Sequence, residues 1–238
     1  MKSAIIRIAV SLCFLSIAVK ADPVLDEQLC VASGAGTSDQ IRLLLRQGAS
    51  ANANCTTKTG DDRFGPLYLA VKADSVDTVA SLLDAGALVN ASEAKYGLSA
   101  VFIIKSPAVG DLLFRHDADA KLRNKAGLTP FEYLTVRVSA SFPAQQAAAV
   151  GELYLKHGAD INATGQADGA TPLMTAAVLG RIDYAKFLLD HGADPNIRNK
   201  RGETALTIVR NLSPLVVTPL SKDYDTLATM LRAHGAMQ

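Results

Sequence analysis

Short apolar runs alternate with polar breaks along most of this chain, and six of those runs end alike. The endings are Leu45-Arg46-Gln47-Gly48-Ala49, Leu83-Asp84-Ala85-Gly86-Ala87, Phe114-Arg115-His116-Asp117-Ala118, Leu155-Lys156-His157-Gly158-Ala159, Leu189-Asp190-His191-Gly192-Ala193 and Arg232-Ala233-His234-Gly235-Ala236. Their pivots at 48, 86, 117, 158, 192 and 235 stand 38, 31, 41, 34 and 43 residues apart. A recurrence of about 20–50 residues predicts a stacked array of small units that bury their apolar faces on one another. Arrays of this kind usually bind and rarely catalyse.

The helix rules give each unit a shape. In the fifth, Gly169-Ala170-Thr171-Pro172-Leu173 opens a short helix. Thr171 suits the N-cap, and Pro172 sits at the first helical position, where its missing N–H costs nothing. The helix runs through Ala176-Ala177 to a stop at Gly180. A second, over about Ile182 to His191, carries Ala185, Leu188 and Leu189 on one face. Gly192 then ends it in the left-handed conformation. Ala193-Asp194-Pro195-Asn196 leaves in extended form, and the chain turns back between Asn199 and Gly202.

These segments resemble ankyrin repeats, whose period is about 33 residues and whose hallmark is Thr-Pro-Leu-His-x-Ala. The matching openings are Gly65-Pro66-Leu67-Tyr68-Leu69-Ala70, Leu128-Thr129-Pro130-Phe131, Thr171-Pro172-Leu173-Met174-Thr175-Ala176 and Thr204-Ala205-Leu206. The exits Gly158-Ala159-Asp160-Ile161-Asn162-Ala163 and Gly192-Ala193-Asp194-Pro195-Asn196 match as well. The resemblance implies an all-α solenoid of about six helix-turn-helix repeats with β-hairpin loops. It covers residues 22–238 as 24–55, 56–91, 92–122, 123–163, 164–197 and 198–238.

The first, third and sixth repeats are degraded, and the end ones fit capping roles. The third has Leu98-Ser99-Ala100-Val101 for its opening, a contracted connection at Ser106-Pro107, and Asp117 where Gly is expected. Asp tolerates a left-handed position at modest cost. The fourth is lengthened around Val138–Ala144 and the sixth around Asn211–Leu220. Leu215, Val216 and Val217 make the latter either a plain surface loop or added contact surface.

Composition adds a compartment. The chain is 49% hydrophobic and 20% charged, values of a globular protein, with 5% aromatics and no Trp. Met1–Ala21 reads as a secretory signal: Lys2 and Arg7 precede an apolar stretch from Ile8 to Val19, and Val19-Lys20-Ala21 offers a cleavage site. The apolar stretch is shorter than the roughly 20 residues a membrane helix needs. Cleavage after Ala21 would take the formal charge from +1 to −2. Such a chain has no general pull on nucleic acid or anionic lipid, so a periplasmic or secreted location and no nucleic-acid or membrane partner are expected.

Cys30 and Cys55 remain after cleavage. An oxidising compartment favours a disulfide, contributing roughly 3 kcal/mol by loop entropy. Two buried free thiols or a metal pair are the competing readings, and no histidine lies near either cysteine in sequence.

No residue cluster carries obvious chemistry. His116, His157, His191 and His234 each directly precede the helix-ending Gly or Asp117. Neighbouring helices lie about 8–10 Å apart, whereas the ligands of one zinc each sit about 2 Å from it. The histidines are therefore expected to meet helix carbonyls. No nucleophile motif or phosphate loop is present, and Gly34-Ala35-Gly36 reads as a turn. Asp61-Asp62 lacks a calcium loop around it and is expected on a solvated hairpin tip. Asn54, Asn90, Asn162 and Asn211 begin glycosylation sequons; the first three are read as the repeat's own Asn position.

The resemblance further implies a partner-binding surface made of hairpin tips and the concave face of the first helices. Its variable positions are Asp61, Asp62, Phe64, Lys72 and Ala73 in the second repeat, and Lys95, Tyr96 and Leu98 in the third. Lys125, Leu128, Val136 and Arg137 follow in the fourth, and Asp168, Ala170, Val178 and Leu179 in the fifth. The sixth gives Lys200, Arg201, Glu203, Asn211 and Leu212, with Arg198 completing a basic cluster. Phe64 and Tyr96 are expected to be exposed anchors. The expected function is an exported, monomeric adaptor that binds another protein and has neither catalysis nor cofactor. Two further roles stay open: an immunity or inhibitor protein for an exported toxic enzyme, or an accessory factor for catalase and oxidative-stress defence. The last rests on a resemblance to exported bacterial proteins associated with catalase function.

Overall fold

Pro23, Pro66, Pro130 and Pro172 each open the first helix of a helix pair. A computed structural model describes residues 22–56, 63–139, 142–212 and 220–237, among which lie eleven α-helices. The first pair is α1 (Pro23–Ala35) and α2 (Ser38–Arg46), and the second α3 (Pro66–Ala73) and α4 (Val76–Asp84). In the third, a 3-10 turn (Ala100–Ile103) stands in for the first helix and precedes α5 (Pro107–Arg115). Then come α6 (Pro130–Arg137) with α7 (Ala144–Lys156), α8 (Pro172–Val178) with α9 (Ile182–Asp190), and α10 (Ala205–Leu212) with α11 (Leu220–Ala233). First members pack side by side in chain order, and second members form a parallel row behind them.

One continuous core runs between the rows, from Leu29 to Leu231. Fully buried Ala70, Ala176, Ala177 and Ala185 let helices approach closely, while Leu82, Leu113 and Leu188 fill the gaps. Burying each such leucine contributes about 1.5–3 kcal/mol. The helix ends follow from residue type. Thr129 and Glu132 form a reciprocal capping box on α6, and the Thr171 hydroxyl accepts from the Met174 N–H on α8. Asp117 adopts φ 63°, the left-handed conformation that Gly158 and Gly192 adopt at the same place. Gly36 (φ 73°) makes the α1–α2 turn alone, because Gly34 and Ala35 still belong to the helix.

Polar staples join successive pairs. Asn52, Asn90 and Asn196 each donate to a carbonyl of the next pair's exit and accept a backbone N–H from it. Asn162 accepts from the Asp194 N–H at 2.9 Å. In the first pair the repeat's Asn is therefore Asn52, two residues before the Asn54 that the sequence pattern suggested. A two-stranded hairpin, β1 (Cys55–Thr56) with β2 (Arg63–Phe64), pairs Cys55 with Phe64. A Cys30–Cys55 disulfide, Cα–Cα 5.4 Å, ties that hairpin to α1.

The third pair departs furthest from its neighbours. A 3-10 turn of four residues leaves carbonyls that a full helix would have satisfied. The fourth pair supplies the donors instead. Tyr154 Oη donates to the Val101 carbonyl. Arg137 donates to those of Phe102 (3.0 Å), Ile103 (3.3 Å) and Ile104 (3.0 Å), and Gln146 to that of Lys105 (3.0 Å). Five consecutive carbonyls are thus closed by three side chains. The lengthened α6–α7 connection takes part: Ser139 bridges to Phe142, whose buried ring lies 4.6 Å beneath the Arg137 guanidinium.

Residues 1–21, read above as a signal, lie outside the described residues, as do Asp61, Asp62 and the 213–219 connection. No helix among the described residues is long and apolar enough to cross a membrane.

Candidate protein-binding surface

Each first helix buries the face toward its row and leaves its last turn open. The open positions are Lys72 and Ala73 on α3, Val136 on α6, Val178 and Leu179 at the end of α8, and Arg210 and Asn211 on α10. Val136 is 49% exposed, Val178 48% and Leu179 38%, so a strip of aliphatic side chains faces solvent in adjoining helices. Lys72 and half-buried Lys105 lie on one side of it, whereas Arg210 lines a groove against α11 with Tyr224, Asp225 and Arg232. From α3 onward these first members carry one acidic side chain, Glu132, which is buried and holds the Thr129 N–H at 2.6 Å. Acids gather on the second row instead, at Asp39, Asp77, Asp84, Glu152, Asp183 and Asp190, all exposed.

Arg137 is built into this face rather than projecting from it. Burial lowers its pKa, opposed by nearby Tyr154, Tyr133 and Tyr68. Burial also raises the pKa of the Tyr154 and Tyr184 phenols well above the ordinary tyrosine value. Arg137 therefore turns three of its N–H donors inward onto main chain.

The hairpin tips are clasped to one another. The Lys125 N–H donates to the Tyr96 carbonyl at 2.9 Å and its ammonium to the Ala94 carbonyl. Lys200 repeats this one unit on, with its N–H on the Asp168 carbonyl (2.9 Å) and its ammonium on Gln166 (2.6 Å) and Ala167 (3.2 Å). Buried Glu93 accepts from the N–H groups of Lys95, Tyr96 and Leu98, ordering its own tip as Asn124 and Asn199 order theirs. Tyr96 is 52% exposed, with the Lys95 ammonium 5.1 Å from its ring centre. Phe64 is half-buried, contrary to the exposed position expected of it, because it stacks on Tyr68 at 4.6 Å. Leu98 is buried as well. Asp168 folds its carboxylate back onto the Ala170 N–H (3.0 Å), and Arg201 is exposed at its tip.

Three features escaped sequence reasoning. Leu88 is 65% exposed beside a cavity of about 230 Å³ lined by Phe64, Tyr68 and Leu98. A signal existed: Asp119, Asp160 and Asp194 occupy the equivalent exit position, and each caps the N–H two residues on. Lys105 and Glu93 gave no comparable cue, since their roles arise from contacts made after folding.

The histidines do meet carbonyls where a bond is formed. His191 Nδ1 lies 2.8 Å from the Phe187 carbonyl and His234 Nδ1 2.9 Å from that of Met230. His157 stacks on Phe114 at 4.0 Å. Among the described residues no three His, Cys, Asp or Glu side chains converge as a metal site.

Residues 138–213 match the family model for ankyrin repeats in three copies. The B-cell lymphoma 3 protein homolog of Mus musculus is 32% identical over 173 residues, 69% of this chain and 37% of that protein. The neurogenic locus Notch protein of Drosophila melanogaster is 38% identical over 100 residues, 39% of this chain and 4% of that protein. The chain therefore spans little more than a third of the first relative and far less of the second. Among solved structures, the ankyrin repeat domain of Bcl-3 superposes with a TM-score of 0.70 at 24% identity, covering 89% of this chain and 87% of that one. At that identity the likeness speaks to the fold. Helix pairs in two rows, stapled at their exits and clasped at their tips, together with these matches, show the ankyrin repeat fold, with residues 138–213 matched as ankyrin repeats.

Proposed function

We propose that this chain is a protein-binding adaptor of six ankyrin repeats, exported through its first 21 residues and acting through its concave inner face. Ankyrin repeats are a scaffold for protein–protein interaction. The observation that carries the reading here is the aliphatic strip of Val136, Val178 and Leu179 left open on adjoining helices. Contiguous exposed apolar surface on a folded protein marks a contact site. The rows are held by packing and staples before any partner arrives, so little ordering entropy opposes binding. The Cys30–Cys55 bridge and the signal-like N-terminus support the exported location.

A photo-crosslinking side chain at Val136 or Val178, compared with one at Asp183 on the second row, tests this in cells. Crosslinked partners from the first two positions and not the third are expected. Equal labelling from both faces would refute it. The trapped protein's identity then separates the inhibitor role from the oxidative-stress role.

A further inference from the structure

The two ends of the array present different chemistry. Later pairs pack a side chain of the second helix onto the pair before: Leu153 of α7 meets Gly110 of α5, and Phe187 of α9 meets Gly151 of α7. Both stand five residues before their pivots, Gly158 and Gly192. Leu43 on α2 stands five before Gly48, where no described pair precedes it, and is 55% exposed. Val31 on α1 lies five residues before the cap Gly36, as Tyr133 lies five before the cap Val138 of α6. Tyr133 meets the Phe102 ring of the preceding pair edge-on. Val31 instead is 70% exposed, and Val24, two turns earlier on the same side, 61%. The leading end thus shows an apolar face where a terminal repeat ordinarily turns a polar one to water. Its polar contacts are already closed. In four later pairs the N–H two residues past the pivot takes the preceding pair's Asn. The equivalent Ser50 N–H takes Asp26 of its own pair, at 2.7 Å. The trailing end is polar. Ala228, in register with Gly110 and Gly151, lies there in a groove of about 310 Å³ bordered by Arg210, Asp225, Thr229 and Arg232.

We infer that the leading face is covered by a second copy of this chain, packed head to head by a two-fold rotation that lays α1 over the partner's α2. This goes beyond the protein-binding reading and does not depend on it. The face is complementary to itself. α1 carries Asp26 and Glu27 and no cation, whereas α2 ends in Arg46. Counted from the turn at Gly36–Thr37 at about 1.5 Å per residue, Val31 and Leu43 lie about 7.5 and 9 Å down their helices. Glu27 and Arg46 both lie about 13.5 Å down. A two-fold axis parallel to the helices preserves these heights, so Val31 meets Leu43 of the partner subunit and Glu27 meets Arg46 of the partner subunit. Neither Glu27 nor Arg46 has an ionic partner in its own chain among the described residues. Head-to-tail stacking fits less well, because it sets Val31 and Leu43 against the charged groove and finds Ser50 already capped. The isologous contact also closes at two copies, whereas a head-to-tail one continues into fibres. Helices of 13 and 9 residues give a footprint of roughly 300–400 Å², about half the 800 Å² per partner of a standard interface. The dimer is therefore weak and concentration-dependent, and the monomer expected from the sequence is its dilute state.

Sedimentation equilibrium of the purified protein from about 5 to 500 µM, the range suited to a small interface, reads the association. A mass that rises from one copy toward two and no further is expected. Leu43→Asp is expected to weaken the dimer about ten-fold or more. Glu27→Arg and Arg46→Glu are each expected to weaken it about three- to ten-fold, and the two together to restore it, since the swap rebuilds the pair with its signs exchanged. Arg232→Glu at the trailing end should leave it unchanged, and far-ultraviolet dichroism of each variant checks folding. A single copy at every concentration would overturn the inference and leave the leading face to a different protein. Growth past two copies, a charge swap that fails to restore association, or equal loss in Arg232→Glu would overturn it as well. The crosslinkers at Val136 and Val178 report separately, because they sit on the inner face and not on the leading end.

Discussion

Replacing Arg137 by leucine should unfold the array from its middle. The guanidinium makes three bonds to main-chain carbonyls at 3.0, 3.0 and 3.3 Å. Hydrogen bonds to a charged group contribute about 1.5–3 kcal/mol each in favourable cases. The full sum does not apply, because the half-buried cation also carries a desolvation cost that leucine removes. A net loss of about 2–4 kcal/mol is the reasoned figure, equivalent to roughly 4–16 °C in Tm for a chain of this size. Arg137→Lys keeps the charge but cannot span three acceptors, and should lose about half as much. Urea unfolding measures the total, and amide exchange shows where it acts. Protection is expected to fall first over residues 100–115, beside the orphaned carbonyls, and least over α10 and α11, since repeats couple mainly to neighbours. A loss below about 1 kcal/mol, or a uniform fall in protection, would show that water satisfies those carbonyls equally well.

Four other outcomes are expected. Gly151→Ala places a methyl 2.8–2.9 Å from the Phe187 ring, so a loss of about 1–3 kcal/mol in urea unfolding should follow. Tyr154 and Tyr184 have folded-state pKa values raised above the unfolded value; their contribution is complete below about pH 10 and is lost as pH rises toward the folded values. Tyrosinate absorbance should therefore show these two of the six tyrosines ionising only as the chain unfolds. Asp117→Gly should gain about 0.5 kcal/mol by relieving left-handed strain at φ 63°. Asp74→Gly, at φ 58°, should show no such gain, because Asp74 also holds Ser106; thermal melts compare the two. Reducing the Cys30–Cys55 bridge should cost roughly 3 kcal/mol, read as a lower urea midpoint with dithiothreitol present.

The repeat itself was legible because it is written in local chemistry. Pro172 at a helix start, Thr171 at its cap and Gly192 at φ 88° act within a few residues of themselves. The left-handed Asp117 could be read the same way. Side-chain availability could not, because it depends on residues far off in sequence. Lys125 and Lys200 look like free charges on a tip until the preceding tip is folded beneath them, 31 and 34 residues earlier. Phe64 looks like an exposed anchor until Tyr68 turns to meet it. The contraction after Ile104 was visible, but the donors that repair it lie 33 to 53 residues downstream.

That repair explains two irregularities that looked unrelated. A shortened third repeat and a lengthened fourth would each be destabilising alone: the first orphans carbonyls, and the second adds loop and buries an arginine. Placed together they cancel, since Arg137, Gln146 and Tyr154 close the five carbonyls of residues 101–105 while Phe142 covers the guanidinium. Restoring a regular helix in the third repeat without shortening the fourth should therefore not stabilise the chain. It would pair those carbonyls internally and leave a half-buried cation and a fully buried phenol without their acceptors, a costlier state than the irregular one.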